Sequence, residues 1–227
     1  MNPVKRSPKL FAVIAFTSAI LTIILRRYFH MDSTAIILCV CLIVFPGVFL
    51  INLFYNLSYL NKIKKASKLL DEGRAEEYII VMTNLLKTAK GETLRNGLQT
   101  NLSAGYIEAA QYGAAINILE ELTKKSRLNL SLKTAVYLNL CTSYLHFEQP
   151  EKAIALYHQS HDLFVKYKNS KEYGGNIAIL DINIAIQEKK YEQASQMLDI
   201  AQEKYSGPRF QKDFAKIANI LKAAKTI

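Results

Sequence analysis

Apolar positions are clumped at the start of the chain and periodic afterwards. Residues 10–25 form 16 consecutive positions without a charge, and residues 34–55 form 22 more. A membrane-spanning helix needs about 20 mostly apolar residues. The second run meets that length and has no polar face, which excludes a half-buried helix of a soluble core. Pro46-Gly47 within it predicts a kink of the kind membrane helices tolerate. The first run covers about 24 Å at 1.5 Å per residue. Arg26 and Arg27 can snorkel from its end, and Tyr28 and Phe29 suit the interface. The basic start MNPVKRSPK before an apolar core also has the look of a signal peptide, but no small-x-small cleavage site follows. The expectation is two transmembrane helices, residues 10–30 and 34–56.

The connection is short enough for a tight antiparallel hairpin. Lys5, Arg6 and Lys9 precede it, Arg26 and Arg27 lie in its loop, and Lys62, Lys64, Lys65 and Lys68 follow it. Basic residues favour the cytoplasmic side, so the 1–9 segment and the C-terminus are both expected there. Ala15, Ser18, Ala19 and Thr22 fall at i, i+3, i+4 and i+7, giving the first span a small intramembrane packing face. Its partner is the second span, a second copy of the chain in a homo-oligomer, or another membrane subunit. Neither span holds an ionisable residue to carry a proton or ion.

After Tyr55 the apolar residues recur with a period near 3.6, broken at Glu72-Gly73, Lys90-Gly91, 126–131, Gln149-Pro150, 169–175 and 206–208. This predicts helices throughout. The helices repeat. Asn101, Leu102, Tyr106, Ala115 and Ile116 match Asn139, Leu140, Tyr144, Ala153 and Ile154 without a gap, at an offset of 38. A third unit carries Tyr191, Ala194, Leu198 and Ala201, at an offset of 41 from Ala153 to Ala194. With Ser103 and Tyr112, and with Cys141 and Pro150, the two best units resemble the tetratricopeptide repeat family. The likeness covers about 57–207, strongly in units 96–127 and 134–167. It weakens where Asp181 and Ala185 stand for Leu and Tyr, and where Tyr78 stands for the small residue of a first unit. One helical hairpin cannot bury its apolar face alone, so at least three must stack. Residues 208–227 read as a capping helix with Phe210, Phe214, Ile217 and Leu221 on one face and Lys212, Lys216, Lys222 and Lys225 outside it. The expected fold is all-α: a transmembrane hairpin followed by an α-solenoid of about four hairpins.

Composition agrees once the chain is divided. Of its 227 residues half are hydrophobic, yet the two apolar runs contain no charge, so the remainder has the charge density of an ordinary soluble domain. The net charge of +10 divides into +4 up to residue 56 and +6 beyond it. Lys62, Lys64, Lys65 and Lys68 form a basic cluster beside the expected membrane, suited to anionic headgroups at about 1 kcal/mol each. No basic and aromatic stripe marks a nucleic-acid surface.

Candidate chemistry is sparse. His158 and His161 lie at i, i+3 with His146 on the preceding helix, but no metalloprotease motif accompanies them, and no metal or cofactor is expected. Cys141 occupies a position that demands a small side chain, and Cys39 and Cys41 point apart on a helix. Neither a phosphate loop nor a nucleophile elbow is present, so the chain reads as non-enzymatic. The sequons at Asn56, Asn101 and Asn129 matter only in a secretory lumen. The resemblance implies a concave groove lined by the first helix of each pair, here Thr100, Ala104, Ile107 and Glu108, then Leu138, Thr142, Leu145 and His146. The basic clamp for a C-terminal carboxylate is missing, so a peptide or amphipathic helix of a protein partner is the expected occupant. Leu138 and Leu145 equally suit packing between repeats. The implied function is a membrane-anchored adaptor at a bacterial plasma membrane. The alternative is a structural subunit of a secretion or envelope-assembly complex, held through its hairpin.

Overall fold

A computed structural model describes residues 8–29, 32–126 and 128–224. Lys5, Arg6, Arg127 and Lys225 lie outside the described residues. Those described contain eleven helices and no strand. They are α1 (Pro8–Phe29), α2 (Ser33–Asp71), α3 (Ala75–Thr88), α4 (Glu92–Glu108), α5 (Tyr112–Thr123), α6 (Leu130–His146), α7 (Pro150–Gln159), α8 (His161–Tyr167), α9 (Gly174–Gln187), α10 (Tyr191–Lys204) and α11 (Pro208–Ala224).

Among the described residues α2 is the one helix long and apolar enough, by length and composition, to cross a membrane. It runs unbroken through Pro46 to Asp71. The Asp32 side chain caps its start, accepting from the Ala35 N–H at 2.8 Å. Its first two-thirds expose large apolar side chains such as Leu42, Phe45 and Phe49, and α1 packs against α2. Its last third buries Tyr59 and Ala66 against α3 and α4. One helix therefore joins the exposed apolar segment to the packed domain.

The remaining helices pair in sequence: the end of α2 with α3, α4 with α5, α6 with α7, and α9 with α10. The first helices also touch one another, α4 against α6, α6 against α9, and α9 against α11. Each hairpin turns in the same way. Gly73, Ala110, Glu148 and Lys189 occupy the left-handed region, with φ of 73°, 57°, 55° and 62°. The next residue's N–H reaches back five residues in every case: Arg74 to Leu69 O, Gln111 to Tyr106 O, Gln149 to Tyr144 O and Lys190 to Ala185 O, at 2.7–2.9 Å. This closure satisfies the orphan carbonyls of a helix end. A left-handed φ suits glycine and costs an ordinary residue roughly 1–2 kcal/mol. The closure therefore holds three non-glycine residues in a disfavoured conformation at equivalent positions.

With the turns as register, Tyr78, Ala115, Ala153 and Ala194 are equivalent, and all are buried. At the three alanines a methyl group lets two helices approach. Tyr78 instead puts a phenol there, and α4 makes room for it: a Cβ on Gly105 would stand 2.7 Å from Tyr78 Cδ1. The phenol donates to Asn101 Oδ1 at 3.3 Å, and burial pushes its pKa up to about 12. Tyr106 and Ile118 touch both the core cluster around Tyr78 and Met82 and the central one around Leu119 and Val136, and weld them together.

The third hairpin departs from the pattern. Its second helix breaks at Ser160, where the equivalent residues Leu122 and Ala201 sit inside a continuous helix. Ser160 is buried, and its Oγ has no protein partner. The row closes with α11, whose Phe214, Ile217 and Leu221 are buried against α9 and α10 while Lys212, Lys216 and Lys222 are exposed. Phe210 lies so close to α9 that a Cβ on Gly175 would meet its ring at 2.5 Å.

Candidate functional site

The residues expected to line the groove lie on α4 and α6, which pack side by side. Two of them are unavailable to a partner. Thr100 is buried, its hydroxyl donating to Asn96 O at 2.9 Å. Leu138 is also buried, within the central core cluster, and Leu145 packs against that cluster half-buried. Their role is packing between hairpins. Ala104, Ile107 and Thr142 are half-buried, and Glu108 and His146 are exposed at the last turns of α4 and α6.

His146 has surroundings that sequence reasoning did not supply. Its ring stacks on Tyr112 of α5, with centroids 5.0 Å apart and planes 14° from parallel. Partial burial lowers its pKa below the ordinary histidine value, Lys216 of α11 pushes the same way, and Asp213 opposes them. The accessible patch therefore joins α4, α5 and α6, with the first half of α11 near enough for its charges to act on His146. No residue spacing announces this, because Lys216 and Asp213 are far from His146 in sequence. Tyr112 was visible in the sequence only as the aromatic that starts α5.

The other candidates resolve into packing. Cys141 is fully buried, with Sγ 3.8 Å from Ala153 O, and burial pushes its thiol up to about 12. At that pKa a thiolate nucleophile is absent at neutral pH. His158 Nε2 lies 2.7 Å from Glu188 Oε1, and His161 meets the Tyr157 ring edge-on. Among the described residues no group of three or more His, Cys, Asp or Glu side chains is placed to hold a metal ion. Asn129 caps α6, accepting from the Leu132 N–H at 2.8 Å, while Asn56 and Asn101 lie inside helices. Two tyrosines bridge hairpins through carboxylates. Tyr144 donates to Glu120 at 2.7 Å, and Tyr157 donates to Asp181 at 2.9 Å. Burial raises the Asp181 carboxyl above its ordinary range, against the Tyr157 hydrogen bond.

The membrane-side candidates divide. Lys62, Lys64, Lys65 and Lys68 are all exposed, and the Lys62 ammonium lies 5.4 Å from the centroid of the Tyr59 ring. The small face of α1 splits in two. Ser18 and Thr22 are half-buried, and their hydroxyls bond back to Ile14 O and Ser18 O at 2.7 and 2.9 Å. Ala15 and Ala19 are exposed. Cys39 and Cys41 are free. Compared with family models, with curated proteins and with solved structures, the chain matches none.

Proposed function

We propose that this chain is a non-enzymatic, membrane-anchored adaptor. In this reading α1 and α2 form a two-span hairpin in a bacterial plasma membrane, with both termini cytoplasmic. The hairpins from the end of α2 to α10 act as a tetratricopeptide-like solenoid capped by α11, and a protein partner is gathered at the cytoplasmic surface. The observation that carries the reading is the continuity of α2. An apolar segment with almost no buried surface passes without a break into the first helix of the packed row. A flexible tether would leave the domain's orientation free, whereas a continuous helix fixes it relative to the bilayer. The recurring turn, four times at equivalent positions, supports a repeat architecture. The patch of Ile107, Glu108, Tyr112 and His146 supplies an aromatic platform with one acidic neighbour, suited to an amphipathic or basic segment.

Two measurements test this. The chain should stay in the membrane fraction after alkaline extraction. A photo-crosslinker placed at Ile107 should then capture a defined protein, and the charge changes E108K and H146E should abolish the capture. Release by alkali would remove the anchor from the account. Capture that ignores both changes would remove the patch. The exposure of Ala15 and Ala19 favours a second reading, a structural subunit held within a membrane complex through α1. A15L/A19L should disrupt such a complex while leaving the Ile107 crosslink in place.

A further inference from the structure

The hairpins have two edges, and a chain of hydrogen bonds identifies one of them as continuous with the apolar part of α2. Tyr55, the last residue of the apolar run, accepts from the Lys90 N–H at 2.9 Å, and Tyr59 OH lies 2.9 Å from Thr88 Oγ1. These contacts fix the loop between α3 and α4 at the level where the apolar run ends. Lys125 Nζ donates to Asn96 Oδ1 at 2.8 Å, tying the loop between α5 and α6 to the first turns of α4. Ser131 and Tyr173 hydroxyls lie 2.9 Å apart, and Tyr205 OH donates to Lys168 O at 3.2 Å. All four loops between hairpins therefore share the edge that starts at Tyr55. The turns inside the hairpins share the other, where Gln111 Nε2 donates to Glu76 Oε1 at 2.8 Å.

Charge is sorted between these edges. The Tyr55 edge exposes Lys87, Lys90 and Lys124, followed by Lys166, Lys168 and Lys171 around the third loop, against two exposed acids, Glu121, paired with Lys124 at 2.6 Å, and Glu172. The opposite edge exposes Glu72, Glu76 and Glu77 around Arg74 in its first turn, Glu108 in its second, and Glu148 and Glu151 beside Lys152 in its third; the fourth turn, with Lys189 and Lys190, is not acidic. Helix dipoles favour acids at N-termini and bases at C-termini. That accounts for the second helix of each pair, which ends on the basic edge. It does not account for the first helices, where α6 and α9 start on the basic edge with no acid in their first turn, and α4 and α9 end on the acidic edge with no base in their last. Helix capping alone therefore does not produce the sorting. The second loop also holds a notch of about 230 Å³ lined by Lys124, Lys125, Lys133 and Tyr137, among others.

We propose that this basic edge rests on anionic lipid headgroups, so that at least the α3–α4 and α5–α6 loops lie in the headgroup layer and the acidic turns point to the cytoplasm. The proposal rests on α2 spanning the membrane. It adds a second contact with the bilayer, made by the repeats themselves. Lipid is the occupant because the edge begins at the boundary of the apolar run, within a Debye length of any anionic leaflet that α2 crosses. Each lysine near such a surface contributes about 1 kcal/mol, a factor of about five in the population of the docked orientation.

The test uses the full chain with C39S and C41S, leaving Cys141 buried, and one fluorophore at a time on S126C or on E148C. The protein is reconstituted into vesicles of phosphatidylcholine alone or mixed with phosphatidylglycerol. Both carry a trace of lipid with a headgroup nitroxide quencher. Flotation first reports whether the chain enters the vesicles. Quenching at S126C should be strong with phosphatidylglycerol, weaker without it and weakened by salt, and E148C should stay unquenched throughout. The reversals K87E, K90E and K124E together should lower the S126C quenching at least fivefold. Unchanged flotation and helicity then exclude misfolding. A chain that floats yet shows S126C unquenched, equal quenching at both sites, or no dependence on phosphatidylglycerol overturns the headgroup contact and leaves the span intact. A chain that fails to float overturns the membrane reading and this proposal with it.

Discussion

Gly105 and Gly97 lie two turns apart on α4, and alanine should act on them in opposite directions. At Gly97 nothing lies within 4 Å of the added Cβ. The substitution there should stabilise the helix by up to about 1 kcal/mol, the difference in helix propensity between glycine and alanine. At Gly105 the same methyl group would meet Tyr78 Cδ1 at 2.7 Å, Ile79 Cγ1 at 3.0 Å and Tyr78 Cε1 at 3.1 Å. Carbon atoms rest at about 3.5–4.0 Å, so the phenol must shift by most of an ångström. Tyr78 is 1% exposed, and its hydroxyl is held by Asn101, so a shift disturbs both its packing and that bond. Overpacking of this kind costs about 1–3 kcal/mol. Set against the propensity gain, G105A should lose up to about 2 kcal/mol. In a chain of this size about 1 kcal/mol moves Tm by roughly 2–4 °C, so G97A should melt higher than G105A by roughly 3–10 °C. The assay is thermal unfolding of the full chain in detergent micelles, followed by helical circular dichroism. A third protein closes the argument. Y78A alone should cost about 3–5 kcal/mol, but in a Y78A background G105A should be neutral or stabilising, because the ring it struck is gone. G105A melting at or above G97A, or the same Gly105 penalty with and without the ring, would refute the packing account.

Three further outcomes follow from the geometry. A110G should raise Tm by an amount equivalent to about 1 kcal/mol, since φ of 57° strains alanine and suits glycine; a melt showing no gain would mean the turn relaxes. D181N should stabilise the protein at neutral pH, because burial raises the Asp181 carboxyl and folding disfavours its charge. The sign is that of a raised carboxyl. The native aspartate is least costly below its unfolded pKa of about 3.8, and stability falls as pH rises through the higher folded value, so the gap between variant and wild type should close on acidification. A gap that widens in acid would contradict the burial assignment. G175A should unseat Phe210 and cost about 1–3 kcal/mol, read as faster hydrogen exchange confined to α11; unchanged exchange there would show that the ring has room.

The helices and the turns between them were legible because punctuation and period are local. Gly73, Gly91, Pro150 and Pro208 stand where the helices change, and the long helix through Asp71 follows from the absence of glycine and proline after Gly47. The equivalence of Ala115, Ala153 and Ala194 was equally plain, since each buried alanine stands three residues after the Tyr112, Pro150 or Tyr191 that starts its helix. What stayed hidden depends on contacts distant in sequence. Tyr78 looked like a fault in the repeat until Gly105, 27 residues later, proved to be its seat. The break at Ser160 has no glycine or proline to mark it. In the candidate groove, register alone could not separate a side chain facing a partner from one facing the next hairpin. Thr100 and Leu138 face inward, and His146 stacks on Tyr112 of the neighbouring hairpin.

The account turns on α2 as one helix that begins in lipid and ends in the packed domain. A nitroxide scan along α2 in phospholipid vesicles, at single cysteines from Leu38 to Leu70, tests this directly through collisions with oxygen and with a water-soluble nickel chelate. Positions such as Leu42, Phe45 and Phe49 should favour oxygen over nickel. Lys64 and Lys68 should favour nickel. The one-turn periodicity contributed by Tyr59, Ile63 and Ala66 should continue in phase with that of the apolar segment. Nickel access along the whole of α2, or a loss of helical phase between Asn52 and Asn61, would contradict the continuous anchor.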